Sequence, residues 1–193
     1  FDEVFTNAML LDAPLLMAHN NDYGWWEIEE KLQLARAKGL NMWSEYYPYA
    51  AGSTSLTAAF LRPSEWVDKK GYRYEDTIYD PIDDQYLTNE TYAALMENDP
   101  GRSVVVEFPY RKAWMNYWLT IPHMTIASDA MAGVGEDGKL LPWDADWSEY
   151  RGHPRTSGSH GAAFRIGREL GVPLMFTIAQ ASYWPAKHLG DTG

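Results

Sequence analysis

The sequence contains no cysteine, so no disulfide can form and any metal site has to use histidine, carboxylate or water ligands. It also contains no run of about 18 uninterrupted apolar residues, the length that a membrane-spanning helix requires. Positive charge is scarce as well, since 16 lysines and arginines face 27 acidic residues and the formal net charge is -11. Such a field repels nucleic-acid backbones and anionic membrane surfaces, so we expect neither as a partner.

Hydrophobic residues, in contrast, make up 46% of the 193 residues, which is enough for one substantial core. The first residue is Phe1, and the charged pair Asp2-Glu3 that follows it is unlike a secretory signal. We therefore expect a processed chain or a piece of a longer one. The compartment stays open, with the cytoplasm favoured.

Short apolar strands alternate with helices in much of the chain. Residues 15–18 are a predicted strand that ends at His19, residues 25–38 an amphipathic helix, and residues 40–45 the next strand. A further predicted strand, residues 124–127, stops abruptly at Ser128-Asp129. This order is typical of a parallel α/β fold, which keeps its chemistry at the carboxyl ends of the strands.

Residues 56–101 interrupt the alternation, because they are rich in Tyr, Asp and Pro and contain one clear helical pattern, residues 89–97. We interpret this stretch as a lid-like insertion between the last two strands. The predicted organisation is strands and helices with His19 and Tyr47 in residues 1–55, the insertion in 56–101, and the last strand with Asp129, the His-Pro-Arg loop and the terminal helices in 102–193.

Two strand-end residues are the main candidates for chemistry. The imidazole of His19 is a suitable zinc ligand, although a lone histidine at a strand end can equally bond to the backbone. Asp129 can bind a metal, act as a general base toward water, or cap the segment that follows it. The sequence leaves these alternatives open, because no His-x-His or His-Glu-x-x-His motif supplies a second local ligand.

Three further residues carry polar groups of interest, one guanidinium and two hydroxyls. The run His153-Pro154-Arg155 presents an arginine whose fork matches both oxygens of a carboxylate, and Tyr47 and Ser53 offer hydroxyl groups near the second strand end. The alternatives are an arginine paired with a surface acid and an aromatic-proline turn that only packs.

Five runs, in order along almost the whole chain, resemble the C-terminal half of the D-aminoacylase group, the N-acyl-D-amino-acid deacylases of the amidohydrolase superfamily. They are Met17-Ala-His-Asn20, Tyr47-Pro-Tyr-Ala-Ala-Gly-Ser53, Ile126-Ala-Ser-Asp129, Gly152-His-Pro-Arg-Thr156 and Trp184-Pro-Ala-Lys-His-Leu-Gly190.

The resemblance implies a partial TIM-type (β/α)8 barrel of the amidohydrolase kind, roughly its last three strands and their helices. It implies a metal-dependent hydrolase that cleaves the amide bond of N-acyl-D-amino acids with one or two zinc ions. His19 and Asp129 resemble the metal ligands, and Asp129 also the catalytic residue. Tyr47, Ser53 and Arg155 resemble the residues that hold the substrate's α-carboxylate.

The expected ligand is therefore a small molecule with a carboxylate. Because only one histidine and one aspartate of the implied metal set are present, we expect this chain to be inactive alone. We also expect it to need the remainder of the barrel, or an oligomeric partner, for stability. Two alternatives stay open: a cyclic-amide hydrolase of the hydantoinase or dihydroorotase kind, and a non-catalytic binding module rich in aromatic residues.

Overall fold

The structure is a computed structural model, and it describes residues 1–191. The strands in this part of the chain are β1 (Leu15–Met17), β2 (Met42–Tyr46), β3 (Ala51–Ser55), β4 (Ile78–Asp80), β5 (Gln85–Tyr86), β6 (Ser103–Glu107) and β7 (Met124–Ile126). The α-helices are α1 (Asp2–Leu11), α2 (Trp25–Ala37), α3 (Pro63–Trp66), α4 (Tyr74–Thr77), α5 (Asn89–Asn98), α6 (Met115–Trp118), α7 (Arg155–Glu169), α8 (Leu174–Ile178) and α9 (Trp184–His188). The predicted α/β class is confirmed.

Shorter helical turns complete the described elements. Turns of 3-10 helix lie at Ala59–Leu61, Pro109–Ala113 and Trp147–Glu149, and a π-helical turn, Ala179–Tyr183, joins α8 to α9. No helix within residues 1–191 combines the length and the apolar character needed to cross a bilayer.

The chain divides into two compact units, each assembled from separate segments. Unit 1 consists of Phe1–Tyr49, Tyr110–Asp129 and the chain from Ser157 onward, whereas unit 2 consists of Ala50–Pro109 and Ala130–Thr156.

Unit 1 is built on a parallel sheet in which β1 and β7 pair with opposite sides of β2. Leu15 lies opposite Met42, and Tyr46 lies opposite Ile126. Because the three strands are parallel, the chain leaves all of them at the same edge of the sheet.

One layer of apolar side chains joins helices α1 and α2 to this sheet. Leu32 and Ala35 of α2, three positions apart on one helical face, are buried with Met42 of β2 and Ala8 of α1. Gly39 follows the helix in the left-handed conformation (φ 89°), which glycine adopts without a steric penalty.

A buried ion pair fixes α2 against β2. Glu29 is only 2% exposed, and its two carboxylate oxygens accept hydrogen bonds from Arg36 Nη2 at 2.6 Å and from Ser44 Oγ at 2.7 Å. Arg36 Nη1 also donates to the Met42 carbonyl oxygen at 2.9 Å. A carboxylate removed from water needs such partners, so this contact holds helix and strand in one arrangement.

A second cluster of apolar side chains packs at the other end of β2 and on β7. Tyr46, Met124 and Ile126 pack with Trp118, Leu119 and Ala163 in a second core cluster. In the π-helical turn, Gln180 is fully buried, and its Nε2 donates to the Trp118 carbonyl oxygen at 2.9 Å and to that of Ile121 at 3.1 Å.

Two histidines tie α9 to the start of β2 and β7. Asn41 Nδ2 donates to the His188 carbonyl oxygen, so Asn41 Oδ1 is the acceptor for His188 Nδ1, 2.7 Å away. His188 Nε2 therefore accepts from His123 Nδ1 at 2.9 Å, and Trp43 stacks on the His188 ring with centroids 4.6 Å apart. Burial, together with the charges of His123, Arg36 and Lys187, lowers the pKa of His188 to about 4.

Unit 2 is built on an antiparallel sheet with strand order β3-β6-β4-β5. Its core contains Leu56, Leu61, Trp66, Tyr74, Ile78, Leu87, Tyr92, Val104 and Val106. The sequence did not predict this sheet, because β3 has the small, polar sequence Ala-Gly-Ser-Thr-Ser and β5 is two residues long. Strand pairing rather than apolar alternation defines these strands.

The sequence predicts a helix over residues 162–170, ended by Gly171, whereas helix α7 begins several residues earlier, at Arg155. Two glycines and two serines in its first half lower the intrinsic helix propensity, and this concealed its start. The structure shows what compensates: His153 Nδ1 accepts the Arg155 backbone N–H at 2.9 Å, which satisfies one of the donors at the helix start.

Candidate metal and substrate site

His19 and Asp129 lie where β1 and β7 end, and the end of β2 brings their segments together. The backbone N–H of Asn20 donates to the Glu45 carbonyl oxygen at 2.9 Å, and that of Ala127 donates to the Tyr46 carbonyl oxygen at 2.8 Å. These two bonds continue the sheet past the outer strands and converge on the last residues of β2.

Beyond this point both chains turn sharply. His19 has φ 55° and Asp129 has φ 48°, both in the left-handed region, which is uncommon for residues other than glycine. The turns bring His19 Nε2 to 3.4 Å from Asp129 Oδ1. The side chain of His19 is 52% exposed and that of Asp129 is 29% exposed, so solvent reaches the pair. The structure thus brings together the two residues that the sequence nominated as metal ligands.

Glu45 is a third ionisable group at this place. Burial raises its pKa; the His19 charge and a hydrogen bond from the His19 backbone N–H oppose that rise, and the Asp129 charge adds to it. Its carboxylate therefore stabilises the turn at His19 by accepting the hydrogen bond from that backbone N–H. Sequence reasoning did not single out Glu45, although a charged residue just before a strand exit is the same signal that marked Asp129.

Tyr47, just past β2, lies close to His19 and to a buried cation. Its ring meets that of His19 edge to face with centroids 6.2 Å apart. Arg111 Nη1 donates to the Tyr47 hydroxyl oxygen at 2.9 Å, while Arg111 Nη2 donates to Asp22 Oδ1 at 2.7 Å. Burial lowers the pKa of Arg111, but Tyr47 and Asp22 outweigh it and the pKa is raised. Sequence reasoning missed Arg111, because no local pattern distinguishes it from surface cations.

The two other nominated residues, Ser53 and Arg155, belong to unit 2. Ser53 lies in β3, and its Oγ donates to the Val104 carbonyl oxygen at 3.1 Å. Arg155 is 3% exposed at the first position of α7. A cavity of about 540 Å³ in this unit has Ser53 and His153 on its wall, together with Arg102 and Arg151.

The His19–Asp129 pair fits two ligands of one zinc ion. Ligand atoms about 2.1 Å from a tetrahedral zinc ion are about 3.4 Å from each other, which is the distance between His19 Nε2 and Asp129 Oδ1. Within the described part of the chain, no group of three or more histidine, aspartate or glutamate side chains is placed to hold a metal ion. The pair therefore supplies part of a metal site.

No protein-family model matches this sequence, and no curated protein matches it. Solved structures do match the fold. One is a D-aminoacylase with a binuclear metal center, 18% identical with a TM-score of 0.64, covering 99% of this chain and 39% of that one. Another is N-acyl-D-glutamate deacylase from Bordetella bronchiseptica, complexed with zinc and a phosphonate inhibitor, 15% identical with a TM-score of 0.63 and the same coverage.

A further D-aminoacylase, described as defining a novel subset of amidohydrolases, is 19% identical with a TM-score of 0.61; the match covers 98% of this chain and 38% of that one. The chain thus spans about two fifths of the length of the structures that it matches. At these identities the likeness establishes a fold shared with these structures, which agrees with the resemblance to the D-aminoacylase group.

Proposed function

We propose that this chain is part of a metal-dependent amidohydrolase that cleaves the amide bond of N-acyl-D-amino acids. The observation that carries the proposal is the 3.4 Å distance between His19 Nε2 and Asp129 Oδ1 at the common edge of three parallel strands. The shared fold with D-aminoacylase and N-acyl-D-glutamate deacylase structures supports the same chemistry.

In this proposal, β1, β2 and β7 are the last three strands of a (β/α)8 barrel, and unit 2 contains the insertion between the last two of them. Among the described residues, β1 and β7 each pair with β2 alone, so the second side of each strand has no partner strand. Strand edges without a partner strand are normally covered. The remainder of the barrel, or an oligomeric partner, would pair with them and supply the missing metal ligands.

The residues of this chain have defined tasks in the reaction. A zinc ion, when bound, would lower the pKa of a water to near 7 and would polarise the amide oxygen. His19 would hold the ion through Nε2 and Asp129 through one carboxylate oxygen. The carboxylate of Asp129 takes the proton of the attacking water and passes it to the departing amine. Tyr47, Ser53 and Arg155 bind the α-carboxylate in this scheme and keep the amide in place.

The test is hydrolysis by the longest polypeptide that contains this chain, with zinc supplied. We expect turnover of N-acetyl-D-amino acids, little turnover of the L enantiomers, and a loss of at least about 100-fold in kcat for Asp129→Asn. Asp12→Asn is the matched control, because Asp12 also has a left-handed backbone (φ 50°) but lies at the end of α1. Turnover of a hydantoin instead would favour the cyclic-amide alternative, and unchanged turnover in Asp129→Asn would refute the proposed role.

A further inference from the structure

Arg111 is a buried cation that two polar groups of unit 1 hold in a fixed orientation. It is 3% exposed, and both Nε and Nη2 donate to Asp22 Oδ1, at 3.0 and 2.7 Å. The guanidinium also lies over the Tyr47 ring, 5.7 Å from its centroid. A desolvated guanidinium needs contacts of this quality, so its direction is set by the fold.

The third contact of Arg111 determines how Tyr47 can act. A guanidinium has only hydrogen-bond donors, so the 2.9 Å contact from Arg111 Nη1 uses an acceptor position on the Tyr47 hydroxyl oxygen. The phenolic proton must therefore point to an acceptor other than Arg111. The same cation strengthens the phenol as a donor, because it withdraws electron density from the oxygen.

This arrangement lies next to the proposed metal site. The Tyr47 ring packs against the His19 imidazole, and His19 Nε2 is 3.4 Å from Asp129 Oδ1. A carboxylate bound next to His19 would meet the Tyr47 hydroxyl as a donor, and the Arg111 guanidinium lies next to that hydroxyl.

We infer that Arg111 is a positioning residue that, with Asp22, orients the Tyr47 hydroxyl as a donor to the carboxylate of the substrate. The inference rests on the proposed function and deepens it, since it names residues that make the site select an anionic amino-acid derivative. Arg111 acts through Tyr47 and does not touch the reacting atoms.

The experiment uses the longest polypeptide that contains this chain, with zinc supplied. Titration calorimetry compares its binding of N-acetyl-D-leucine with its binding of the neutral carboxamide, and turnover is measured in parallel. We expect Arg111→Met to weaken binding of the carboxylate about tenfold, since one charge-assisted contact is lost. Binding of the carboxamide should weaken less than about twofold. In turnover, KM rises about tenfold while kcat changes little. Arg111→Lys restores part of the loss, because a lysine keeps the charge but loses the fork.

A double-variant series separates positioning from general stability. In a Tyr47→Phe background, Arg111→Met should weaken carboxylate binding by less than a further twofold, because the hydroxyl through which it acts is gone. Asp22→Asn provides a variant at a residue whose side chain is 54% exposed. It keeps Arg111 but loosens its orientation, and about a threefold loss of carboxylate binding is expected.

The outcomes are distinguishable. The inference is overturned if Arg111→Met weakens binding of both ligands equally. It is also overturned if Arg111→Met weakens carboxylate binding by the same factor with and without the Tyr47 hydroxyl, because Arg111 is then structural. D-selective hydrolysis with unchanged binding in Arg111→Met overturns it as well, and leaves the hydrolase standing. If the preference for the carboxylate depends on Arg111 and Tyr47 but no hydrolysis is measured, the inference is supported and the proposed hydrolase function is rejected.

Discussion

The imidazole of His19 and the carboxylate of Asp129 meet although their strands do not pair with each other. β1 and β7 lie on opposite sides of β2, yet His19 Nε2 is 3.4 Å from Asp129 Oδ1. Two left-handed turns, each held to the end of β2 by a backbone hydrogen bond nearby, direct the side chains toward each other across the middle strand.

Replacing His19 by asparagine tests the ligand role while respecting this turn. Asparagine tolerates the left-handed backbone, so we expect the fold to survive and the circular dichroism spectrum to match that of the unmodified protein. Hydrolysis of N-acetyl-D-amino acids should fall by about 100-fold or more, because a nitrogen ligand is lost. His160→Asn, an exposed position in α7, is the control and should retain activity. Equal activity in the two variants would rule out His19 as a ligand.

Breaking the buried Glu29–Arg36 pair should destabilise unit 1 strongly. Glu29→Leu leaves the Arg36 guanidinium, whose side chain is 13% exposed, without its carboxylate and removes the acceptor for Ser44 Oγ. We expect a loss of about 3 kcal/mol in the free energy of unfolding, measured by urea denaturation. Lys31→Gln removes the exposed ion pair with Asp2 and should change the free energy of unfolding far less, because solvent screens that pair. Similar costs for the two variants would contradict a specific role for the buried pair.

The lowered pKa of His188 predicts that the folded protein loses stability in mild acid. Its pKa in the folded protein is about 4 against the ordinary 6.5, so between these values the unfolded chain binds a proton that the folded chain does not. Stability is therefore complete above about pH 6.5 and falls as the pH drops toward 4. His188→Gln should flatten this dependence in denaturation series from pH 7 to pH 4, and His160→Gln should not. A wild-type slope in His188→Gln would mean that other groups cause it.

Two glycines of α7 make a matched pair for packing. A Cβ added at Gly158 would lie 2.5 Å from the Tyr49 hydroxyl oxygen, whereas one added at Gly161 meets nothing within 4 Å. Gly161→Ala should gain up to about 1 kcal/mol from helix propensity alone. Gly158→Ala should be net destabilising, by about 1 kcal/mol or more, because the phenol has to move. Thermal unfolding of both variants checks this, and equal gains would show that Tyr49 moves without cost.

Much of the fold of unit 1 could be predicted from the sequence, because it follows from local patterns. The apolar runs before His19 and before Asp129, and the amphipathic stretch that became α2, marked the elements to within a few residues. His19 and Asp129 could also be predicted, because a polar residue directly after an apolar strand is a pattern in the sequence itself.

The groups that the sequence did not disclose depend on long-range pairing. Arg111 becomes significant only when the turn at Pro109–Ala113 folds next to Tyr47 and Asp22, and neither spacing nor composition shows that contact. The antiparallel sheet of unit 2 was hidden for the same reason, since one partner of β6 precedes the insertion's helices and the other lies between α4 and α5. Tyr47, Ser53 and Arg155 all stay predictions as carboxylate ligands.

The division of the chain among two interleaved units also dictates the order in which a ribosome can complete them. β2, the centre of the parallel sheet, emerges long before β7, and all four strands of the antiparallel sheet are synthesised in the interval. A nascent chain therefore carries an unfinished parallel sheet while the strands of the antiparallel sheet are already able to pair. Neither unit can be obtained by trimming one end, so a single-unit version would require rejoining the chain at the crossing points.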